Sequence, residues 1–168
     1  MGEVYWITCL SGAGKTTIVK IVYEKLKGKY PNTVFLDGDT LREIFGGIFG
    51  YEEEDRRQCA MCYARLCAML EKQGIHVVCC TISMFHSVRE WNRKHICNYR
   101  EIYVKVSWET LQTRNQKGLY DTAKGEESVV GIQVKFEEPE QPDLVLLNDG
   151  LTTPEEQAQI ILSHEYRG

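Results

Sequence analysis

Ser11-Gly12-Ala13-Gly14-Lys15-Thr16-Thr17 brings small residues, a lysine and two hydroxyls into one short run. Small residues let successive backbone N–H groups turn inward on an anion, and a helix starting there adds its dipole. The ammonium reaches the β and γ phosphates, and the first hydroxyl can hold Mg2+. The run predicts a site for the phosphates of ATP or GTP, with Mg2+ on Thr16. The usual spacing starts the loop with glycine, where this chain has Cys9. A residue with a Cβ cannot cheaply take every backbone angle open to glycine, so an imperfect loop is expected.

Two further groups could act beside those phosphates. Phe35-Leu36-Asp37-Gly38-Asp39, with Arg42 close behind, joins the end of a strand-like run to a helix-like one. Carboxylates placed there can orient Mg2+ or accept a proton from an attacking hydroxyl; the alternative is a turn in which Asp39 caps the next helix. Arg114-Asn115-Gln116-Lys117-Gly118-Leu119-Tyr120 opens a polar stretch without periodicity that runs to Pro142. It reads either as a solvated loop or as a basic lid that covers ATP, neutralises developing charge and excludes water.

Such groups need a scaffold that gathers strand ends and helix starts at one edge. Residues 4–9 are β-branched and aromatic, and after the loop Ile18, Val19, Val22 and Leu26 recur at helical spacing. Strands are then expected at 33–36, 75–80, 101–106 and 144–147, and helices at 40–45, 53–72, 88–96, 108–114 and from 154 onward. The almost wholly apolar run at 75–80 suits a strand covered on both faces. Alternation of this kind implies an α/β fold, a doubly wound parallel sheet flanked by helices. One domain spanning 1–168 is expected, with a lid at about 115–142.

Composition limits the partners. The 168 residues are 43% apolar with a net charge of −4, so a basic surface for nucleic acid is not expected and phosphate binding should be local. No apolar run is long enough to cross a bilayer, and the start lacks a signal-peptide pattern, which predicts no membrane partner and a cytoplasmic location. Of the seven cysteines, several lie within apolar or helical runs. They read as reduced thiols, and Cys59-x-x-Cys62 as helix-face packing rather than a metal or redox pair.

Taken together, Leu-Ser-Gly-Ala-Gly-Lys-Thr-Thr, Phe-Leu-Asp-Gly-Asp-x-Leu-Arg, Asp55-Arg56, Ile82-Ser83, Lys117-Gly118-Leu119-Tyr120 and Val130-Gly131-Ile132 followed by Phe136-Glu137-x-Pro139 resemble the adenylyl-sulfate kinases. The resemblance runs from about residue 6 to residue 147. It implies a P-loop kinase fold, MgATP as phosphoryl donor, transfer to the ribose 3′-hydroxyl of a small nucleotide, and a possible homodimer. By position it makes Ser11 to Thr17 the ATP-phosphate residues, Lys15 and Lys117 catalytic, Thr16 the Mg2+ residue and Asp39 the acceptor-side base. Asp37, Arg42, Tyr51, Arg56, Ile82, Ser83 and Val129 would contact the acceptor. Lys117, Gly118 and Leu119 would form the lid over both substrates, and Arg114 would lie by the ATP adenine. Ser83 could instead be a phosphorylation site.

Departures from the family pattern gather on the acceptor side. Two phenylalanines that sandwich the acceptor's adenine in the family correspond to Tyr51 and Val129, and Asp-Arg-x-x-Asn-x-Arg-Arg becomes Asp55-Arg56-Arg57-Gln58-Cys59-Ala60-Met61-Cys62. A ring lost from a sandwich typically removes about 1–3 kcal/mol of stacking. The run from Thr81 to Arg93, with Met84 in place of the usual Pro, resembles a bacterial branch that includes the cytidine diphosphoramidate kinases of capsule phosphoramidate synthesis. The expected acceptor is cytidine diphosphoramidate, with adenylyl sulfate as the alternative. A regulatory GTPase is disfavoured by the lack of an Asn-Lys-x-Asp motif, and a non-catalytic nucleotide binder is the rival of another class.

Overall fold

The computed structural model describes residues 1–10, 12–114 and 136–164. Among these residues five strands form one wholly parallel sheet: β1 (Val4–Thr8), β2 (Thr33–Asp37), β3 (His76–Thr81), β4 (Tyr99–Lys105) and β5 (Leu144–Leu147). Their order is β2-β3-β1-β4-β5. The helices are α1 (Lys15–Lys29), α2 (Gly38–Ile44), α3 (Glu53–Lys72), α4 (His86–His95), α5 (Trp108–Thr113) and α6 (Pro154–Ser163). Every expected element is present, most with ends moved by one or two residues.

Strand alternation sends side chains to two cores. Tyr5 and Ile7 of β1, Val78 and Cys80 of β3 and Ile102 and Val104 of β4 meet Ile18, Val19 and Val22 of α1 and Ala158 and Ile161 of α6. Val4, Trp6, Val77 and Cys79 face the other way, onto Tyr63, Ala64 and Cys67 of α3 and Val88 of α4. Both faces of β1 are therefore covered, and all five of its residues are buried, as a parallel strand at the centre of such a sheet requires. Each fully buried aliphatic side chain contributes on the order of 1.5–3 kcal/mol, so the central strands are the firmest support available to the loops at their carboxyl ends.

Helix ends depart from expectation in one informative place. Asp37, not Asp39, caps α2, its carboxylate accepting from the Thr40 backbone N–H at 3.2 Å and the Thr40 hydroxyl at 3.3 Å. The cap rule favours the residue just before the first helical one, which here lies two positions earlier than the sequence pattern suggests. Asp39 is left exposed on the first turn.

Candidate functional site

The carboxyl ends of β1, β2 and β3 open onto a cleft of about 630 Å3, lined by Lys15, Asp37, Asp39, Arg42, Arg56, Ile82 and Ser83 among others. Above β1 the loop turns through Gly12 at φ 80° and Gly14 at φ 74°, left-handed angles that suit only glycine at low cost. Cys9 needs no such angle: among the described residues no residue other than glycine has positive φ. The expected penalty for Cys9 is therefore absent. Its side chain is buried, donates to the Leu10 carbonyl at 2.9 Å, and has its thiol pKa pushed up to about 12 by burial.

Gly14 precedes α1, whose start has no side-chain cap and no acidic residue in its first turn. The N–H groups at that end point to a place where an anion is favoured by hydrogen bonding and by the helix dipole. Thr16 and Thr17 are exposed there. Burial works against the charge of Lys15, but the Cys9 and Cys80 sulfurs and then the Asp39 and Asp37 carboxylates outweigh it and hold the ammonium above its usual pKa. Because burial keeps both thiols protonated near neutral pH, the two carboxylates carry that effect in working conditions.

Two residues that sequence reasoning missed hold this loop from behind. Asn148, directly after β5, donates its amide to the Ala13 carbonyl at 2.6 Å, and Gln157 of α6 donates to the Asn148 side-chain oxygen at 3.0 Å. A Cβ on Gly14 would approach that Asn148 amide to 3.0 Å, a second reason for glycine there. Asn148-Asp149-Gly150 reads in sequence as an ordinary turn, so only the fold shows where its amide goes. The Arg114 guanidinium is close by, with nitrogens 3.7 and 3.9 Å from where a Cβ on Gly14 and on Gly150 would sit.

On the opposite wall Arg42 donates to the carbonyls of Phe49 and Gly50 at 3.0 and 2.9 Å, and Arg56 to the Tyr51 carbonyl at 2.7 Å. Both guanidinium groups lie over the Tyr51 ring, at 4.6 and 5.4 Å from its centroid. Tyr51 thus presents an exposed ring engaged with two cations, each such contact being worth about 0.5–1 kcal/mol at exposed sites. Ser83 is buried, and its hydroxyl lies 2.7 Å from that of Thr81. Cys59, Tyr63, Met84 and Phe85 also line the cleft; Cys59 and Met84 are among the departures from the family pattern, whereas periodicity and an apolar run mark Tyr63 and Phe85 only as core.

Ser11, Lys117, Gly118, Leu119 and Val129 lie outside the described residues, as does most of the expected lid. Its far end, at 136–142, is tied down. The Glu137 N–H donates to the Met84 carbonyl at 2.9 Å, and its carboxylate accepts from the His86 backbone N–H at 2.6 Å. That second bond caps α4, whose own N-cap Phe85 has no side-chain acceptor. Arg89 donates to the Glu137 carbonyl at 2.6 Å and pairs with buried Glu101 at 3.5 Å.

The donor set around the phosphate loop is oxygen: the Thr16 hydroxyl and two carboxylates. No cluster of three His, Cys, Asp or Glu side chains able to hold a metal exists among the described residues. An all-oxygen donor set of this kind fits Mg2+, which takes oxygen ligands, keeps several waters and is usually held through a few protein groups plus substrate phosphates. All seven cysteines are free thiols, and among the described residues no helix is long and apolar enough to cross a membrane.

Comparison with known proteins gives a consistent set of likenesses. The family model for adenylylsulphate kinase matches residues 1–147. A cytidine diphosphoramidate kinase of Campylobacter jejuni is 43% identical over 161 residues, covering 95% of this chain and 94% of that protein. A probable adenylyl-sulfate kinase of Archaeoglobus fulgidus is 34% identical, covering 89% and 97% respectively. The structure of the Mycobacterium tuberculosis adenylyl-sulfate kinase in complex with AMPPNP and adenylyl sulfate superimposes with a TM-score of 0.84 at 30% identity, covering 96% of this chain and 95% of that one.

Proposed function

This chain belongs to the adenylylsulphate kinase family, and from that premise we propose that it transfers the γ-phosphoryl group of ATP to the ribose 3′-hydroxyl of cytidine diphosphoramidate, a step in making capsule phosphoramidate. The observation that carries the choice of acceptor is the 43% identity, across nearly the whole of both chains, to a cytidine diphosphoramidate kinase. The acceptor wall supports it: Cys59, which lines the cleft, stands where the family pattern has an amide, and the Tyr51 ring is engaged by Arg42 and Arg56. Such a wall offers fewer polar groups to a purine ring, and lost hydrogen-bond partners are the strongest source of discrimination between substrates.

The acceptor hydroxyl attacks the γ-phosphorus in line. Asp39 takes its proton as the new O–P bond forms, and the bond to the β-phosphate oxygen breaks to release ADP. Asp37 is committed to its helix cap, which leaves Asp39 free for this task. Lys15 and the N–H groups at the start of α1 hold the β and γ phosphates where charge spreads in the transition state. Thr16, together with phosphate oxygens and water, would hold Mg2+, which would supply neutralisation of that charge. Arg42, Arg56, Ile82 and Ser83 seat the acceptor, and Arg114 lies beside the ATP adenine. Lys117, Gly118 and Leu119 belong to a lid at 115–142 that closes over both substrates and keeps water from competing. The chain acts as a single domain and assembles as a homodimer.

The test is ADP release from ATP and Mg2+ with each acceptor in turn. Cytidine diphosphoramidate is expected to exceed adenylyl sulfate by at least about tenfold in kcat/KM. Turnover of adenylyl sulfate alone refutes the choice of acceptor, and ADP release that depends on neither acceptor refutes nucleotide kinase activity.

A further inference from the structure

Tyr63 lies on the inward face of α3, buried at the back of the cleft. Its hydroxyl donates to the Gly38 carbonyl at 2.9 Å, and Gly38 is the first residue of α2. Its ring stacks on Phe45 with centroids 5.9 Å apart and planes 15° from parallel, and Phe45 is the residue that closes α2. One side chain thus grips both ends of a helix of seven residues, far below the length at which helices are stable alone. That helix carries Asp39 and Arg42.

The grip is itself fixed. Cys59, one turn earlier on α3, donates its thiol to the Tyr63 hydroxyl oxygen at 3.0 Å, which leaves the phenolic proton directed at Gly38. Burial, then the Cys59 contact, raise the Tyr63 phenol well above its ordinary pKa, so it stays a donor at any working pH. Gly38 has little room to retreat: a Cβ there would come within 3.3 Å of the Cys80 carbonyl on β3. The start of α2 is held between the sheet edge and the Tyr63 hydroxyl.

We infer that Tyr63 is a positioning residue for phosphoryl transfer: by holding α2 at both ends against α3 it sets the Asp39 carboxylate at the acceptor hydroxyl. This rests on the reading of Asp39 as the proton acceptor. Displacement of a catalytic group by a fraction of an ångström costs rate without costing donor affinity, and that asymmetry separates positioning from general stability.

Tyr63→Phe keeps the ring and its stack on Phe45 and removes one oxygen, so the fold is retained. The expected result is a kcat lowered about tenfold, the loss set by one hydrogen bond at a buried carbonyl, with the KM for ATP changed less than about twofold. In an Asp39→Asn background the same substitution should lower kcat by less than about twofold, because the group being positioned is gone. An unchanged kcat in Tyr63→Phe, or the same loss in both backgrounds, overturns the inference while Asp39→Asn alone remains slow. Parental turnover by Asp39→Asn alone instead removes the base assignment, and this inference falls with it.

Discussion

Asn148→Ala tests whether the phosphate loop is held from behind. The amide removed donates to the Ala13 carbonyl at 2.6 Å, and Ala13 is 1% exposed, so water cannot readily take its place. Gln157 loses a partner too, but its amide keeps Leu147 O at 3.3 Å and the Thr152 hydroxyl at 2.8 Å. The cost therefore falls mainly on one buried carbonyl, about 1–3 kcal/mol. Taking about 2 kcal/mol, the midpoint of thermal unfolding should drop by roughly 4–8 °C for a domain of this size. On the proposed reading the loosened segment wraps the phosphates, so ATP must restore its shape on binding. If half of the cost is met at that step, the KM for ATP rises about fivefold. Thermal melts followed by circular dichroism and ATP titrations of ADP release read the two effects separately. A midpoint within about one degree of the parent together with an unchanged KM for ATP would falsify the idea that Asn148 secures the loop.

Two other outcomes are expected. Glu137→Gln keeps the shape of the side chain but weakens the charged cap on the His86 N–H. It should cost about 1 kcal/mol of stability and raise the acceptor KM more than the ATP KM, since Met84 and Phe85 form that wall of the cleft; equal changes in both KM values would refute the tether. Burial alone would raise the Glu3 pKa, but Arg100 at 2.5 Å and the Tyr5 hydroxyl at 2.9 Å more than reverse this and lower it. The stability it contributes is present above its unfolded value, near 4.5, and is lost as pH falls through the lower folded value. Glu3→Gln should thus be less stable than the parent at pH 7, with the gap closing as pH falls below 4.5 and through the lowered folded value. Melting curves across that range settle the matter, and a gap that persists in acid would count against it.

The fold was legible because its signals are local. Ile18, Val19, Val22 and Leu26 mark α1 at helical spacing, and the unbroken run at 75–80 marks a strand buried on both faces, where β3 lies. The phosphate loop was legible because anion binding needs consecutive backbone groups. What sequence could not show depends on approaches across the chain. Asn148 meets Ala13 across 135 positions, and Glu137 caps a helix that starts 51 residues before it. Tyr63 has the periodicity of a core residue, and nothing in that pattern says its hydroxyl ends on Gly38. The concern over Cys9 came from a pattern that encodes glycine there, whereas the backbone at that point takes angles open to any residue. The capping alternative for Asp39 falls to Asp37 because the start of α2 lies two residues earlier than the pattern suggests, an offset finer than periodicity resolves.

The central place of β1 also shapes how the protein comes into being. Val4 pairs with Val77 on one side and with Tyr99 on the other. As the chain leaves the ribosome, the second edge of Val-Tyr-Trp-Ile-Thr waits for β4 at Tyr99–Lys105, and until β3 emerges at His76–Thr81 the strand has no neighbour at all. Through that interval an apolar strand stands with both edges open, the condition in which strands of different chains pair with each other. Substitutions that delay β3 or β4 should lower soluble yield well before they lower the activity of the molecules that do fold.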